Sequence, residues 1–268
     1  MNIYLNETEH QIAADLSLYS LRNIEFPEAD IMIVNGFPVS EDQLLLENDH
    51  VVMIQRGRIP ATEEIEALMM ARHTPGVHKK IKTGVVGIAG VGGLGSNIAI
   101  ALARTGVGKL IIADFDIVEP SNLNRQQYFI DQIGLAKVDA LYETLERINP
   151  TVTIERHHIR ITPDNLDELF KDVDILVEAF DSAKEKAMLT NTFLSRYPNK
   201  ALIAASGLAG YEQSNSITTQ QMTDHLIICG DGITAAAPGC GLMAPRVGIA
   251  AHHQANAVIR LLLGETVG

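Results

Sequence analysis

A glycine-rich loop and the polar residues that follow it are the part of this 268-residue chain best suited to chemistry. The loop reads Gly90-Val91-Gly92-Gly93-Leu94-Gly95. Glycines at its first, third and sixth positions allow a tight turn, and they let phosphate approach the backbone amides at a helix N-terminus. By itself the loop therefore predicts a nucleotide site and leaves the reaction open.

The elements around the loop are those that a nucleotide-binding unit requires. The apolar segment 82–89 predicts a strand before the loop, and the Ala-rich segment 96–105 predicts a helix that Gly106 ends. A second apolar strand over residues 109–113 places Asp114 at its carboxyl end, where a nucleotide ribose would lie. The order strand, loop, helix, strand is typical of a Rossmann-like unit.

Composition limits the class of protein. With 46% hydrophobic and 20% charged residues, the chain can bury one large core and a small one. A net charge of −12 argues against general nucleic-acid binding, which needs a basic surface. The sequence contains no long apolar run and no cationic leader, so we expect a cytoplasmic protein that does not insert into a membrane. Its two cysteines are too few for a disulfide framework.

The first 58 residues are strongly acidic, contain no lysine, and predict a small separate fold. The pattern predicts a mixed sheet over one helix, with a hairpin turn at Asn35-Gly36. Its expected elements are extended segments at 2–5 and 10–13, a helix near 16–24, and strands at 30–34, 37–39 and 50–55.

The segments 34–39 and 46–52, which read Val-Asn-Gly-Phe-Pro-Val and Leu-Glu-Asn-Asp-His-Val-Val, resemble the ThiS family of sulfur carriers. This resemblance implies a β-grasp, ubiquitin-like domain. A working carrier ends in a free Gly-Gly carboxylate, whereas residues 55–58 here read Gln-Arg-Gly-Arg and the chain continues. We therefore expect a carrier-like domain kept for structure, regulation or docking, with release by proteolysis as the alternative.

Residues 62–264 resemble the ubiquitin-activating superfamily, and specifically its ThiF and MoeB adenylyltransferases. Five motifs carry the resemblance: the glycine loop, Asp114-Phe115-Asp116, residues 122–126, Gly134–Val138 with Arg147–Pro150, and Ala244–Gly248. It implies an α/β fold, with a Rossmann-like, mainly parallel sheet covered by helices on both faces. Further strands are expected at 151–157, 175–179 and 201–206. The expected domains are 1–58, a linker with a helix at 59–83, and the adenylyltransferase domain at 84–268.

The resemblance also implies a reaction and its partners. It is the adenylation of the C-terminal glycine carboxylate of a separate ThiS-like carrier with ATP and Mg²⁺, for thiamine thiazole biosynthesis. Such catalysis depends on positioning and electrostatics and needs no protein nucleophile. The implied nucleotide-binding residues are Gly90, Gly92, Gly93, Gly95, Asp114 and Asp116, and the implied phosphate-binding residues are Asn122, Arg125 and Lys137.

Other implied roles depart from the family pattern or compete with structural ones. Asp181 matches the magnesium-site aspartate, but Ser182 and Lys186 replace the usual Asn and Arg, and a helix N-cap is the alternative role. Asp116 also suits a turn after the strand. In this family an arginine is often supplied by the second subunit of a homodimer, and Arg72 is the candidate.

The number and positions of the cysteines lead to two further expectations, one about structural zinc and one about a catalytic thiol. Some relatives hold zinc with two Cys-x-x-Cys pairs, which this chain lacks, so we expect no structural zinc. The adjacent His252 and His253 are expected to be ordinary helix residues. A buried, inert thiol is the expectation for Cys229, whereas Cys240 lies between glycines and could approach an acyl-adenylate.

Three alternatives stay open at this point. The substrate could be another ubiquitin-like carrier, a tRNA base or a peptide. An NAD-dependent oxidoreductase would use the same loop and Asp114, but it has no evident use for Arg125 and Lys137. A nucleotide-binding scaffold without catalytic activity, regulated by the β-grasp domain, is the third possibility.

Overall fold

A computed structural model describes residues 1–58, 65–66, 68–69, 73–74 and 76–267. The chain divides into two compact units, Met1–His78 and Lys79–Gly268. Arg72 and most of the helix predicted at 61–72 lie outside the described residues. The domain boundaries predicted at 58 and 83 lie on either side of the division between the units, and they stay predictions.

The N-terminal unit is a five-stranded sheet with one helix. Its elements are β1 (Asn2–Leu5), β2 (Thr8–Gln11), α1 (Leu18–Glu25), β3 (Ile31–Val34), β4 (Phe37–Val39) and β5 (His50–Ile54). The strand order is β2-β1-β5-β3-β4, with β1 and β5 parallel. Leu18 and Leu21 of the helix are buried in one cluster with Ile3 and Val51 of these two strands. This is the β-grasp arrangement that the sequence predicts.

Two hairpin turns set the register of this sheet. Asn35 and Gly36 have φ of 52° and 85°, which joins β3 to β4 by the two-residue turn that the sequence predicts. The strand predicted at 10–13 begins earlier, at Thr8. The reason is a second turn of the same kind, in which Asn6 and Glu7 take φ of 46° and 65° and bring Leu5 opposite Thr8.

The C-terminal unit contains a seven-stranded sheet in the order β11-β12-β10-β9-β6-β7-β8. Only the pair β11–β12 is antiparallel among the paired strands of this sheet in the described part of the chain. The strands are β6 (Val85–Ala89), β7 (Lys109–Asp114), β8 (Thr153–His158), β9 (Ile175–Glu178), β10 (Ala201–Ala205), β11 (Thr218–Gln221) and β12 (Leu226–Gly230). The sequence did not predict β11, because Thr-Thr-Gln-Gln lacks the apolar pattern of a buried strand.

The helices of this unit cover both faces of the sheet. They are α2 (Val77–Ile81), α3 (Gly93–Thr105), α4 (Lys137–Ile148), α5 (Leu166–Phe170), α6 (Ala183–Arg196) and α7 (Ala244–Leu263); α2 begins in the N-terminal unit. A methyl group at Gly87 would meet Phe170 of α5, whereas one at Gly95 of α3 would lie 3.2 Å from Ile88, the next residue of β6. Because successive strand residues point to opposite faces, α5 and α3 lie on opposite sides of the sheet. The fold prediction is confirmed.

No helix within the described ranges is long and apolar enough to cross a membrane.

Candidate functional site

A cavity of about 420 Å³ lies at the carboxyl ends of the central strands of the C-terminal unit. The chain runs from β6 to β7 and β8 on one side and then crosses to β9 on the other side of β6. Ligands of doubly wound folds bind at such a switch point, because the loops on either side diverge there. Gly90, Asp114 and Ala179, which follow or end β6, β7 and β9, all line the cavity.

The glycine loop forms one edge of the cavity, but its glycines have different roles. Gly90, Gly92 and Gly93 line the cavity, and α3 begins directly at Gly93. Gly95 does not line it. A Cβ atom at Gly95 would lie 1.9 Å from the backbone oxygen of Gly90. Gly95 therefore allows helix and loop to approach closely, and the nucleotide contact predicted for it is not supported.

Asp114 ends β7 and is held in one orientation by backbone amides. Its Oδ2 accepts a hydrogen bond from the Val91 N–H at 2.8 Å, and its Oδ1 accepts one from the Asp116 N–H at 2.8 Å. Each carboxylate oxygen keeps a further lone pair, so both can still accept from ribose hydroxyls. The carboxylate thus joins the glycine loop to the end of β7.

Lys137 and Asp116 form an ion pair on the cavity wall. The Lys137 Nζ lies 2.9 Å from Asp116 Oδ2, and the lysine side chain is 7% exposed against 47% for the aspartate. The Lys137 backbone N–H also donates to the Asp116 carbonyl at 3.0 Å. Asp116 therefore orients the lysine, and the ammonium keeps further N–H groups for a ligand.

Arg125 lines the cavity, whereas Asn122 does not. The Arg125 guanidinium donates to two neutral oxygens, the Ser121 carbonyl at 3.2 Å and Asn124 Oδ1 at 2.9 Å. The Oδ1 of Asn122 accepts from the Glu119 N–H at 3.0 Å within a short 3₁₀ turn. The Asn122 side-chain oxygen thus closes the turn that presents Arg125, and the phosphate contact expected of Asn122 stays a prediction.

Asp181 is exposed and lines the cavity between β9 and α6. The N-cap residue of α6 is Ser182, so the alternative N-cap role does not apply to Asp181. No group of three or more metal-ligating side chains occurs among the described residues. Mg²⁺ commonly binds one or two carboxylates together with phosphate oxygens, so a lone aspartate at this edge fits such an ion.

At the carboxyl ends of β9 and β10, Lys186 forms an ion pair with a buried glutamate that sequence reasoning missed. Its Nζ lies 3.0 Å from both carboxylate oxygens of Glu178 and 3.2 Å from the Ala205 carbonyl. Glu178 is fully buried, and this burial raises its pKa although Lys186 acts in the opposite direction. The lysine that replaces the family arginine therefore joins the ends of β9 and β10. The signal that could have found the pair is the acidic residue at the end of an otherwise apolar strand.

Arg246 anchors the loops beside the cavity. It is 3% exposed, and its Nη2 donates to Asp231 at 2.5 Å and to Ser216 at 3.1 Å. Burial raises the pKa of Asp231, but hydrogen bonds from Thr234, Ile233 and Arg246 outweigh burial and bring it to about 2. The arginine of the motif Ala244–Gly248 thus has a structural role.

The cysteines and the paired histidines lie away from the cavity lining. Cys229 is fully buried in β12, and burial raises its pKa to about 11, which agrees with an inert thiol. Cys240 is half-buried and does not line the cavity. His252 contacts the Gly248 carbonyl in its own helix at 2.8 Å, and His253 contacts Thr219 at 2.9 Å.

Comparison with known proteins gives matches for both units. Residues 66–267 match the model of the ThiF family, and residues 1–57 match that of ThiS-like ubiquitin. Ubiquitin-like modifier-activating enzyme 5 of Drosophila grimshawi is 46% identical over 97 residues, which cover 36% of this chain and 24% of the relative. The Caenorhabditis elegans enzyme of that name is 47% identical over 91 residues, or 34% and 22% of the two chains. The matched segments thus span about a quarter of these relatives.

Solved structures resemble the fold at lower identity. The tRNA N6-threonylcarbamoyladenosine dehydratase TcdA of E. coli, solved in complex with ATP, superimposes with a TM-score of 0.66 and 21% identity over 73% of this chain and 92% of its own. E. coli MccB with ATP gives a TM-score of 0.55 and 21% identity over 77% and 64%. These likenesses show a shared fold.

Proposed function

Because the chain belongs to the ThiF family, we propose that it adenylates a carboxylate with ATP, giving an acyl-AMP anhydride and pyrophosphate. The observation that carries this proposal is the cavity at the strand ends, where the glycine loop, Asp114, Arg125 and Lys137 meet. A hydride-transfer enzyme would share the loop and Asp114, but it has no evident use for both Arg125 and Lys137 beside them. The family match therefore favours acyl activation over the oxidoreductase alternative.

Each residue has a task that its chemistry suits. Asp114 accepts hydrogen bonds from the ribose hydroxyls, as its fixed orientation allows. Lys137 and Arg125 bind phosphate oxygens and stabilise the negative charge that develops on the departing pyrophosphate. A carboxylate positioned at the α-phosphorus attacks it directly, so no protein nucleophile is needed.

Magnesium fits this scheme with a single protein ligand. Asp181 would hold the ion, which supplies charge neutralisation for the phosphates when it is bound. The cavity lining contributes four cations and four carboxylates (Arg125, Lys137, Arg160, Lys186, Asp114, Asp116, Asp181 and Glu185). Because these charges cancel, the lining by itself does not balance a triphosphate, which supports a requirement for a divalent cation.

The proposed substrate is the C-terminal glycine carboxylate of a separate ThiS-like carrier, in a pathway to the thiamine thiazole. The ThiS-like unit of this chain supports a partner of that kind. As it stands in the intact chain this unit is not the substrate, because β5 runs on into Gln55–Arg58 without a free carboxylate; release by proteolysis is the alternative. We further propose a homodimer in which Arg72 reaches the partner's phosphates; loss of adenylation in Arg72→Ala is the expected result, and an unchanged rate would overturn that role.

The test is ATP–pyrophosphate exchange by the purified full chain, with and without a carrier protein that ends in Gly-Gly. Exchange that depends on the carrier supports the proposal, and a carrier lacking its last glycine is the matched control. Exchange without carrier specificity would point to a different carboxylate, such as a peptide.

A nucleotide-binding scaffold without catalytic activity is the second candidate. The observation that favours it is that Lys137 is already paired with Asp116. ATP binding without exchange, whatever carrier is offered, would support the scaffold.

A further inference from the structure

Three side chains from separate elements contact one another in the lining of the cavity. Arg160, just after β8, places its guanidinium carbon 3.6 Å from the centre of the Phe115 ring. Its Nη1 lies 2.6 Å from Oε1 of Glu185 in the first turn of α6. All three residues line the cavity. The loops after β7 and β8 and the start of α6 are thereby joined in this part of the cavity.

The backbone around these side chains is fixed by hydrogen bonds. The Phe115 carbonyl contacts His158 Nε2 at 2.9 Å, and the Arg160 carbonyl accepts from Asn165 Nδ2 at 2.9 Å. The Ile159 N–H donates to the Asp114 carbonyl at 3.1 Å. The backbone that carries Arg160 and Phe115 is therefore fixed by hydrogen bonds in the absence of a ligand.

The position of this group indicates which part of a nucleotide it meets. Phe115 directly follows Asp114, the proposed ribose residue, and the phosphate-binding loop lies at the end of the neighbouring strand β6. In doubly wound folds the base extends beyond the ribose carboxylate, away from the glycine loop. Ile159 and Ile161 line the cavity beside Arg160, so this part of the cavity offers apolar walls suited to an aromatic base.

The Arg160 guanidinium group can stack on Phe115 and on a nucleotide base at the same time. It is planar, and stacking on Phe115 uses one face, while the Arg160 side chain stays 56% exposed. We propose that Arg160, held between Phe115 and Glu185, is a base-binding residue that stacks on the purine of the nucleotide and closes this part of the cavity. This inference rests on the proposed ATP-dependent function and names a residue that determines its nucleotide affinity.

The chain contains a matched control four residues away. Arg156 lies 3.9 Å from the centre of the Tyr142 ring and 2.7 Å from Asp139, so it repeats the same chemistry. None of these three residues lines the cavity. Replacing Arg156 therefore removes an equivalent stack and ion pair without touching the proposed base site.

The experiment measures dissociation constants for ATP and for inorganic tripolyphosphate by calorimetry with Mg²⁺ present. The variants are Arg160→Ala, Arg160→Lys and the control Arg156→Ala. We expect Arg160→Ala to weaken ATP binding about fivefold, the size of one cation–π contact. Tripolyphosphate carries no base, so its affinity should not change. Arg160→Lys keeps the positive charge beside Glu185 but loses the planar guanidinium group. It should therefore also weaken the binding of ATP and leave that of tripolyphosphate unchanged.

Two results would overturn the inference. One is equal ATP affinity in Arg160→Ala and Arg156→Ala; the other is an equal loss for ATP and tripolyphosphate, which would mean that Arg160 acts on phosphate charge. Arg160→Lys decides the question should the alanine variant not fold. The same samples distinguish this inference from the proposed function. ATP binding without pyrophosphate exchange would contradict the proposed function alone. Absence of ATP binding by the unaltered protein would contradict both.

Discussion

The two walls of the cavity use ion pairs in opposite ways. On the motif wall, defined as residues 90–137, Lys137 pairs with Asp116, which is about half exposed. On the far wall, defined as residues 178–247, the paired carboxylates Glu178 and Asp231 do not line the cavity themselves and are 0% and 8% exposed. An exposed partner can yield to a ligand at little cost, whereas a buried carboxylate that loses its cation is left uncompensated. We therefore expect the motif wall to control the reaction and the far wall to control stability.

The largest expected effect on activity is on the motif wall. Lys137→Ala should lower the rate of carrier-dependent pyrophosphate exchange about a hundredfold, because a preorganised donor to developing charge is lost. Thermal unfolding should change little. The control is Lys109→Ala, which removes another lysine–carboxylate pair, 2.6 Å from Glu155, outside the cavity lining. Equal rates in the two variants would contradict the assignment.

On the far wall, Arg246→Ala should lower the free energy of unfolding by about 4 kcal/mol, since it leaves the buried Asp231 without its cation. Urea unfolding of the full chain measures this. Arg196→Ala breaks an exposed pair with Asp167 at 3.1 Å and should cost much less stability than Arg246→Ala, because water already screens this pair. If both variants unfolded alike, the contrast between the walls would be wrong.

Within the motif wall, the glycines offer a test of which positions are structural. Gly95→Ala should destabilise the protein by about 2 kcal/mol, because its Cβ would be forced against the Gly90 backbone. Gly92→Ala meets its nearest atom, Gln126 Nε2, at 3.6 Å and should cost less than about 1 kcal/mol. Thermal unfolding distinguishes the two variants. A lower stability of Gly92→Ala than of Gly95→Ala would contradict this assignment.

Acid should affect the far wall in a defined pH window. The pKa of Asp231 is held at about 2 in the folded protein, below the value of about 3.9 for an unfolded aspartate. Its contribution to stability is therefore complete above about pH 4 and is lost as the pH falls toward 2. Asp231→Asn should be less stable than the unaltered protein at pH 7, and this difference should shrink between pH 4 and pH 3. A difference that stays constant over this range would exclude the carboxylate as its cause.

The smallest effect is expected at the two cysteines, which belong to the far wall by position in the chain but do not line the cavity. Cys240→Ala should leave exchange unchanged, since neither wall needs a thiol for adenylation. Iodoacetamide at pH 8 should label the native protein at Cys240 and spare Cys229, whose pKa of about 11 and burial keep it protonated and inaccessible. Mass spectrometry of the labelled peptides gives the result. Loss of exchange in Cys240→Ala would instead assign that thiol to the reaction.

Much of the fold could be predicted because its signals are local. The Asn35-Gly36 turn, the apolar strands β6 and β7, and the helix between the glycine loop and Gly106 all follow from short patterns, and the structure confirms them. Strand β11 was missed because a polar edge strand has no apolar pattern of its own; its order comes from pairing with β12.

The candidate site, like the fold, could be predicted only in part. Asp114, Arg125 and Lys137 were singled out from motifs, and the structure brings all three to one cavity. Asn122 and Gly95 belong to the same motifs, yet both have structural roles. The Asn122 side chain accepts a hydrogen bond from the Glu119 backbone, and the absence of a side chain at Gly95 lets the helix approach the Gly90 backbone. A motif names residue types at a spacing and does not say which of them face the ligand.

By itself, the sequence determined that a glycine loop, the aspartate proposed to bind a ribose and two cations follow one another within 48 residues, behind a carrier-like unit without a free Gly-Gly end. Only the tertiary structure decided that Lys186 meets Glu178, that Arg246 meets Asp231, and that Arg160 lies between Phe115 and Glu185. The physical reason is that parallel strands place their carboxyl ends side by side, whatever their separation in the chain. Those pairings depend on strand order, which no local pattern carries.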